Sequence, residues 1–130
     1  MLARSFRGIG AVGNNVPEVD LKKNIRTYLA VEKCIQKELL ASSMSVTSGG
    51  LAIALAKASV GGKLGCSVSI KDLPGQAKTV DAKLFSESQG RILVSVNPKN
   101  VRKFEKMIKQ IPYLRLGQTE KNDKFIITDG

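Results

Sequence analysis

The spacing of apolar residues predicts an amphipathic helix near the start of the chain. From Asp20 to Leu40, apolar residues recur at intervals of three and four, and Asp20 can cap the helix. The predicted buried stripe comprises Leu21, Ile25, Tyr28, Leu29, Ile35 and Leu39, interrupted by Glu32. Lysine and arginine occupy most of the opposite face. We therefore expect the helix to pack through its apolar stripe and to expose its basic one.

A second helix is predicted directly after a glycine-rich turn. Residues 45–58 read SVTSGGLAIALAKA and follow a short predicted strand at 44–46. The helix from Leu51 to Ser59 is apolar nearly all round, which is typical of a buried helix. Gly61 and Gly62 are expected to end it.

Two strands are predicted on either side of a long connection. Residues 64–70 alternate between apolar and polar, and residues 92–96 form a β-rich segment. The second strand begins directly after the polar turn in LFSESQGR, residues 84–91. The connection at 71–83 is expected to be a loop with one helical turn near 80–84.

The last third of the chain predicts a helix and two further strands. Asn97 is a suitable cap and Pro98 a suitable first residue for a helix that Pro112 closes. The segments 114–119 and 124–128 flank an Asn-Asp turn, which predicts a closing hairpin. The order of elements predicts an α+β fold, with one mixed or antiparallel sheet, packed helices and a partly ferredoxin-like layout.

The first 19 residues do not fit this pattern. Gly8, Gly10 and Gly13 have the G-x-G-x-x-G spacing of a dinucleotide site, but no apolar strand precedes them and no helix opens directly after them. We interpret residues 1–19 as a linker from a missing upstream domain. Residues 20–130 have the length of one domain.

Composition restricts the classes of function. The chain has no histidine and only two cysteines, Cys34 and Cys66, without ligand-type spacing, so neither a metal site nor a histidine relay is expected. The cysteines are interpreted as reduced core residues of a cytoplasmic protein. No apolar run approaches the roughly 20 residues of a membrane span, and no secretion signal is recognisable.

The net charge of +10, from 21 basic against 11 acidic residues, favours anionic partners. Nucleic acid, phosphorylated small molecules and acidic protein surfaces all fit, and so does a plain solvated lysine surface. Aromatic residues make up 5% of the chain, and the predicted strands lack the aromatic side chains that stack bases. Nucleic-acid binding is therefore not expected.

The turn at Thr47, Ser48, Gly49 and Gly50 is a candidate anion site. Small residues let main-chain N–H groups approach a phosphate, and the helix start adds a partial positive charge. Ordinary helix initiation, with Thr47 or Ser48 as the cap, is the alternative.

The polar turn before the 92–96 strand is the second candidate. Glu87, Gln89 and Arg91 are potential ligands of a substrate or partner, although Glu87 and Arg91 could instead pair with each other. Neither turn contains a nucleophile next to a base, so no catalytic residue is expected on this chain.

Both turns resemble a known family. SVTSGGLAIALA resembles the H-D-x-S-D-G-G-L-A-x-A-L-A segment of the phosphoribosylformylglycinamidine synthase large subunit, and LFSESQGRILVSV resembles its L-F-S-E-S-x-x-R-x-x-V-x-V segment. VPEVDLKKNIRTYL is similar to the family's linker and first helix, and LGQTEKNDKFIIT to its closing strand pair. The resemblance implies the last, PurM-like C-terminal domain of that subunit.

The resemblance also implies a function. The family uses ATP, Mg and glutamine-derived ammonia to amidate formylglycinamide ribonucleotide in cytoplasmic purine synthesis, together with glutaminase and small subunits. Its ATP and Mg ligands lie in preceding domains, so neither cofactor is expected on this chain, and the chain alone should be inactive. The residues implied for phosphorylated substrate and for the cleft wall toward the preceding domain are Thr47, Ser48, Gly49, Gly50, Ser86, Glu87, Ser88 and Arg91.

One departure from the family pattern weakens a directly catalytic role. Where the family has His-Asp-x-Ser-Asp-Gly-Gly, residues 44–50 read MSVTSGG, without the histidine and both aspartates. A cleft wall is therefore favoured over a catalytic loop. The alternatives are another superfamily member, such as an aminoimidazole ribonucleotide or selenophosphate synthetase, and a basic module for RNA or protein. An orphaned domain face also suggests a homodimer.

Overall fold

The computed structural model describes residues 19–75 and 77–130, and these residues form an α+β fold. The predicted linker at 1–19, with its three glycines, lies outside the described residues except for Val19. The elements in chain order are α1 (Leu21–Gln36), β1 (Leu40–Ser45), α2 (Gly50–Gly62), β2 (Gly65–Ser69), α3 (Val80–Phe85), β3 (Ile92–Val96), a 3₁₀ turn (Pro98–Asn100), α4 (Val101–Met107), β4 (Gly117–Glu120) and β5 (Phe125–Thr128). The predicted fold class is confirmed.

Several boundaries differ from the prediction. β1 begins at Leu40 rather than Met44, and α2 continues to Gly62. Asn97 caps the 3₁₀ turn as predicted, with its side-chain oxygen 3.1 Å from the Lys99 N–H. The helix that follows ends at Met107, before Pro112, because the chain leaves the helix in a tight turn at 108–111. No helix in the described part of the chain is long and apolar enough to cross a bilayer.

The strands form two sheets where the sequence predicted one. β1 and β3 pair antiparallel, with a register shift between Leu40 and Ser42. The second sheet has the order β4-β2-β5, in which β2 is antiparallel to β4 and parallel to β5. The predicted closing hairpin is therefore wrong, because β2 separates the two last strands.

The segment that connects β4 to β5 passes close to the backbone at the start of β2. A Cβ atom on Gly65 would lie 2.3 Å from the carbonyl oxygens of both Asn122 and Lys124. The Lys124 carbonyl also accepts a hydrogen bond of 2.9 Å from the Cys66 N–H. The Asn122-Asp123 segment therefore passes the end of β2, and β5 pairs with β2 instead of folding back on β4.

Two apolar clusters hold the elements together. The first joins α2 to β2 through residues that include Leu51, Leu55, Val68 and Ile70. The second joins α1 to α4 and consists of Cys34, Leu39, Phe104 and Ile108. Both cysteines are free thiols in these clusters, as the sequence predicted.

The two helices predicted to bury their apolar residues do so only in part. α2 buries Leu51, Ala54 and Leu55, but Val60 is 78% exposed. Of the stripe predicted to be buried on α1, only Leu39, which lies beyond the end of the helix, is buried, and the prediction is wrong for the others. Cys34 is fully buried, whereas Leu21 is 69% exposed and the helical residues of the predicted stripe face outward. α1 meets the cluster around Phe104 through Cys34 and the partly buried Ala30 instead.

Candidate functional site

The glycine turn forms a tight corner between β1 and α2. Val46 donates its N–H to the Arg91 carbonyl at 2.9 Å, and Gly50 donates to the Thr47 carbonyl at 2.9 Å. Gly49 and Gly50 have φ values of 83° and 66°, in the left-handed region that favours glycine. Gly49 is the N-terminal cap residue of α2, so the alternative interpretation, in which Thr47 or Ser48 caps the helix, is wrong.

The carboxylate of Glu87 takes the place of that cap. Its Oε1 accepts a hydrogen bond of 2.9 Å from the Gly49 N–H, across 38 residues of sequence. A carboxylate at a helix N-terminus satisfies a free N–H group and interacts favourably with the helix dipole. The corner does bind an anionic group, and that group belongs to the chain itself.

Gly50 brings α2 against the end of α3. A Cβ atom at this position would lie 2.5 Å from the Leu84 carbonyl oxygen and 2.7 Å from the Phe85 carbonyl carbon. Gly50 is buried. Glycine is therefore required here both by the backbone angle and by the space available.

Arg91 braces the second turn from within. Its guanidinium donates to the carbonyls of Ser88, at 3.3 Å, and Ser86. Burial lowers the pKa of Arg91 from its ordinary value. Glu87 and Arg91 therefore bind main-chain groups rather than pairing with each other, and Arg91 shapes the turn that presents Glu87.

The structure brings the two predicted turns together into one corner, which we call the Gly-Glu corner. It contains all eight predicted site residues: Thr47, Ser48, Gly49, Gly50, Ser86, Glu87, Ser88 and Arg91. Thr47 and Ser48 are exposed, whereas the second turn is half-buried apart from the exposed Gln89.

One neighbour of the Gly-Glu corner was missed by sequence reasoning. The side chain of Asn24, on α1, lies against Gly90, where a Cβ atom would come within 2.0 Å of the Asn24 Oδ1. Gly90 has a φ of 79°. No sequence motif links these positions, because the contact arises only when α1 folds back beside the second turn.

Two features limit the chemistry of the Gly-Glu corner. Among the described residues there is no group of three or more histidine, cysteine or acidic side chains placed to hold a metal ion. A cleft of about 410 Å³ lies elsewhere, and none of the eight predicted residues lines it. Its lining residues are Asp20, Lys22, Lys23, Arg26, Thr27, Gln110, Ile111 and Pro112.

The fold and the Gly-Glu corner define the class of this chain: a small α+β domain in which a neighbouring turn caps a Gly-Gly helix start. The family model described as AIR synthase related protein, C-terminal domain, matches residues 2–130. The chain belongs to this family.

Curated relatives extend the comparison to whole proteins. The chain is 34% identical over 123 residues to phosphoribosylformylglycinamidine synthase subunit PurL of Caldanaerobacter subterraneus subsp. tengcongensis, covering 93% of this chain and 16% of the relative. It is 35% identical over 121 residues to the same subunit of Symbiobacterium thermophilum, covering 89% and 15%. The chain thus spans about a sixth of the length of these relatives.

Solved structures show the same fold. Thermotoga maritima PurL complexed with FGAR matches with a TM-score of 0.76 at 17% identity, covering 92% of this chain and 21% of that one. The same protein complexed with AMPPCP matches with a TM-score of 0.57 at 22% identity, covering 68% and 15%. The similarity at this level of identity concerns the fold.

Proposed function

We propose that this chain acts as the C-terminal domain of a phosphoribosylformylglycinamidine synthase. That enzyme amidates formylglycinamide ribonucleotide with ATP and glutamine-derived ammonia. The hydrogen bond between Glu87 and Gly49 carries the proposal, because it joins the two segments by which the sequence resembles the synthase. The names of both curated relatives support the synthase over an aminoimidazole ribonucleotide or selenophosphate synthetase.

The proposed role of the Gly-Glu corner is to form one wall of the cleft for the phosphorylated ribonucleotide. The Glu87 carboxylate occupies the Gly49 N–H and would repel a phosphate at the same position. The exposed hydroxyls of Thr47 and Ser48 are better suited to contact the substrate, since each can donate and accept hydrogen bonds. The FGAR complex of the Thermotoga protein makes this ribonucleotide the natural first ligand to test.

ATP and Mg are assigned to the rest of the synthase. The described residues offer no group of three or more histidine, cysteine or acidic side chains placed to hold a metal ion, and the Glu87 carboxylate is already hydrogen-bonded within the corner. Structures of the Thermotoga protein with ATP and AMPPCP support nucleotide binding by the parent enzyme. The contribution of this chain is then to shape the cleft and to orient the ribonucleotide in it, and we expect no catalysis from this chain alone.

The proposed context is a cytoplasmic, multidomain enzyme. Residues 1–19 would link residues 20–130 to preceding domains of the same large subunit. Glutaminase and small subunits would supply ammonia. The fold similarity to PurLQS from Thermotoga maritima supports a place for this chain in such a larger synthase.

A chimeric enzyme tests this function. The matched segment of the Caldanaerobacter subunit is replaced by this chain, and ATP-dependent amidation of formylglycinamide ribonucleotide is measured with ammonia. Activity supports the proposal, and Thr47→Val with Ser48→Ala should then raise KM for the ribonucleotide more than they lower kcat. A chimera that folds, by circular dichroism and sedimentation, but has no activity contradicts it.

A further inference from the structure

The side chain of Lys83, in the short helix α3, binds two separate segments of the chain. Its Nζ donates a hydrogen bond of 2.5 Å to the Asp129 Oδ1, within a salt bridge, and one of 3.2 Å to the Lys71 carbonyl. The side chains of Lys83 and Asp129 are 13% and 31% exposed. Fully exposed ion pairs contribute little to stability, whereas a mostly buried ammonium group is unfavourable unless its donors are paired. The two acceptors therefore define the position of this ammonium group.

Both acceptors follow the ends of neighbouring strands in the second sheet. Lys71 is the second residue after β2, and Asp129 directly follows β5. The two strand ends are joined by the Ile70 N–H, which donates to the Thr128 carbonyl at 2.8 Å. Ile70 is fully buried. Lys83 therefore attaches α3 to the joined ends of β2 and β5, at the edge of the core.

The other end of α3 lies against the Gly-Glu corner. Leu84 packs on the first apolar cluster, and its carbonyl oxygen lies close to Gly50. Ser86 follows α3 as its C-terminal cap, and Glu87 comes next. The carboxylate of the corner is thus carried four positions after Lys83. A shift of α3 would move this carboxylate with it.

The position of α3 depends on its contacts with the rest of the domain. The helix has six residues, and a helix of this length is not stable on its own. Arg91 holds the shape of the turn that follows α3, and the bond between the Val46 N–H and the Arg91 carbonyl fixes the far end of that turn beside β1. The near end of the turn is joined to α3. Its placement therefore follows the placement of α3.

We propose that Lys83 is a positioning residue for the Gly-Glu corner. By binding Asp129 and the Lys71 carbonyl, it holds α3 in the place from which Glu87 reaches Gly49. In the synthase, Lys83 then acts on the binding of the ribonucleotide without touching it. This last step rests on the proposed function, whereas the effect on the corner does not.

NMR of the 130-residue chain tests the effect on the corner. Lys83→Met removes the ammonium group and keeps an unbranched side chain. The Gly49 amide proton signal should move from its wild-type position toward its position in Glu87→Ala, in which the same hydrogen bond is absent. Lys83→Arg keeps the charge and can donate to both acceptors, so it should restore the wild-type signal. The amide signals of α4, which belongs to the second apolar cluster, should stay in place and show that the variants are folded.

Asp129→Ala tests the same contact from the acceptor side. It removes the carboxylate and leaves the sequence of α3 unchanged, so it keeps the test open if Lys83→Met does not fold. The Gly49 signal should move in the same direction as in Lys83→Met. A Gly49 signal that stays in place in the folded variants overturns the proposal.

Lys78→Met is the matched control. Lys78 is exposed and directly precedes Thr79, the N-terminal cap of α3, so the same substitution removes a nearby charge and leaves both hydrogen bonds of Lys83. The Gly49 signal should keep its wild-type position. An equal movement in Lys78→Met and Lys83→Met would mean that the loss of charge alone alters the corner, and it would overturn the proposal.

The chimeric synthase tests the step to substrate binding. Lys83→Met should raise KM for formylglycinamide ribonucleotide about three- to tenfold and change kcat by less than about twofold, because the corner orients this substrate only. KM for ATP should stay unchanged. Lys83→Arg should return KM for the ribonucleotide to the wild-type value, and Lys78→Met should not change it.

The failures of the two proposals can be told apart. An inactive wild-type chimera contradicts the proposed function, and the Gly49 signal then decides whether Lys83 positions the corner. An active wild-type chimera in which Lys83→Met keeps the wild-type KM contradicts only the role of Lys83 in substrate binding. A rise in KM for ATP as large as that for the ribonucleotide also contradicts that role, because it would show a general disturbance of the enzyme.

Discussion

The Oε1 atom of Glu87 lies 2.9 Å from the main-chain nitrogen of Gly49, the residue that precedes helix α2 as its N-terminal cap. This bond joins two turns that are far apart in sequence. It gives the Gly-Gly helix start an internal anion, so the turn is closed without a bound ligand. The side chains of Thr47 and Ser48 at the same corner are exposed.

Removing the Glu87 carboxylate should destabilise the domain. Glu87→Ala leaves the Gly49 N–H without its charged acceptor and should lower the free energy of unfolding by about 1–2 kcal/mol. Glu87→Gln keeps an acceptor oxygen but loses the interaction of the charge with the helix dipole, a loss of about 0.5 kcal/mol. Urea denaturation followed by circular dichroism at neutral pH measures both differences.

Gln89→Ala is the matched control for this turn. Gln89 is exposed and lies two residues from Glu87, so its truncation should change stability by less than about 0.5 kcal/mol. Equal stabilities of Glu87→Ala and the wild type would show that the bond to Gly49 contributes nothing to the fold.

A methyl group at Gly50 should be poorly tolerated. Gly50→Ala combines a φ of 66° with a Cβ only 2.5 Å from the Leu84 carbonyl oxygen, and we expect a loss of about 2 kcal/mol or more. Gly61→Ala, in the last turn of the same helix, meets no atom within 4 Å and should stabilise the domain by up to about 1 kcal/mol. Thermal unfolding of the two variants compares them directly. Similar melting temperatures would argue against close packing of α2 on α3.

The sequence predicted the local elements and the composition of the Gly-Glu corner. Asp20 and Asn97 act as caps, and residues 92–96 form a strand with the predicted bounds. These features depend on neighbouring residues, so their patterns are visible in a short window. The resemblance to a family implied that both distant turns belong to one cleft wall, and the Glu87–Gly49 hydrogen bond joins them in the structure.

Long-range pairing could not be predicted in the same way. The segment at 121–124 has the composition of a hairpin turn. However, β4 and β5 on either side of this segment do not pair with each other, because each pairs with a different edge of β2. The apolar period of α1 predicted which residues share a face without showing which face the domain would use. That choice depends on the residues that share a cluster with Cys34, such as Phe104 in α4 and Ile108 directly after α4.

A substitution at Gly65 tests whether the segment at 121–124 passes over the start of β2. In Gly65→Ala the new Cβ would lie 2.3 Å from two main-chain carbonyl oxygens, and these cannot rotate away as a side chain can. We expect a loss of about 2 kcal/mol or more and faster amide exchange in β5. Hydrogen exchange followed by NMR locates the effect.

Gly62→Ala is the control for the Gly65 experiment. Its Cβ would meet the Leu64 side chain at 3.8 Å, an ordinary contact, so β5 should keep its protection. If Gly65→Ala also leaves β5 protected, the segment at 121–124 does not pass over Gly65 as described.

Cys34 should make the domain less stable in alkali. Burial raises the pKa of the Cys34 thiol, so the unfolded chain loses this proton at a lower pH than the folded one. Its contribution to stability is therefore complete below the unfolded thiol pKa of about 8.5 and is lost as the pH rises toward the folded value.

Cys34→Ala isolates this contribution. The variant should be less stable at pH 7 by about 1 kcal/mol, because a fully buried sulfur is removed, but its stability should fall less steeply between about pH 8.5 and 10. Tyr113, whose pKa is also raised by partial desolvation and by Glu105, is present in both proteins and cancels in the comparison. Urea denaturation across this pH range measures the two slopes. Parallel slopes would mean that the Cys34 thiol ionises as readily in the folded domain as in the unfolded chain.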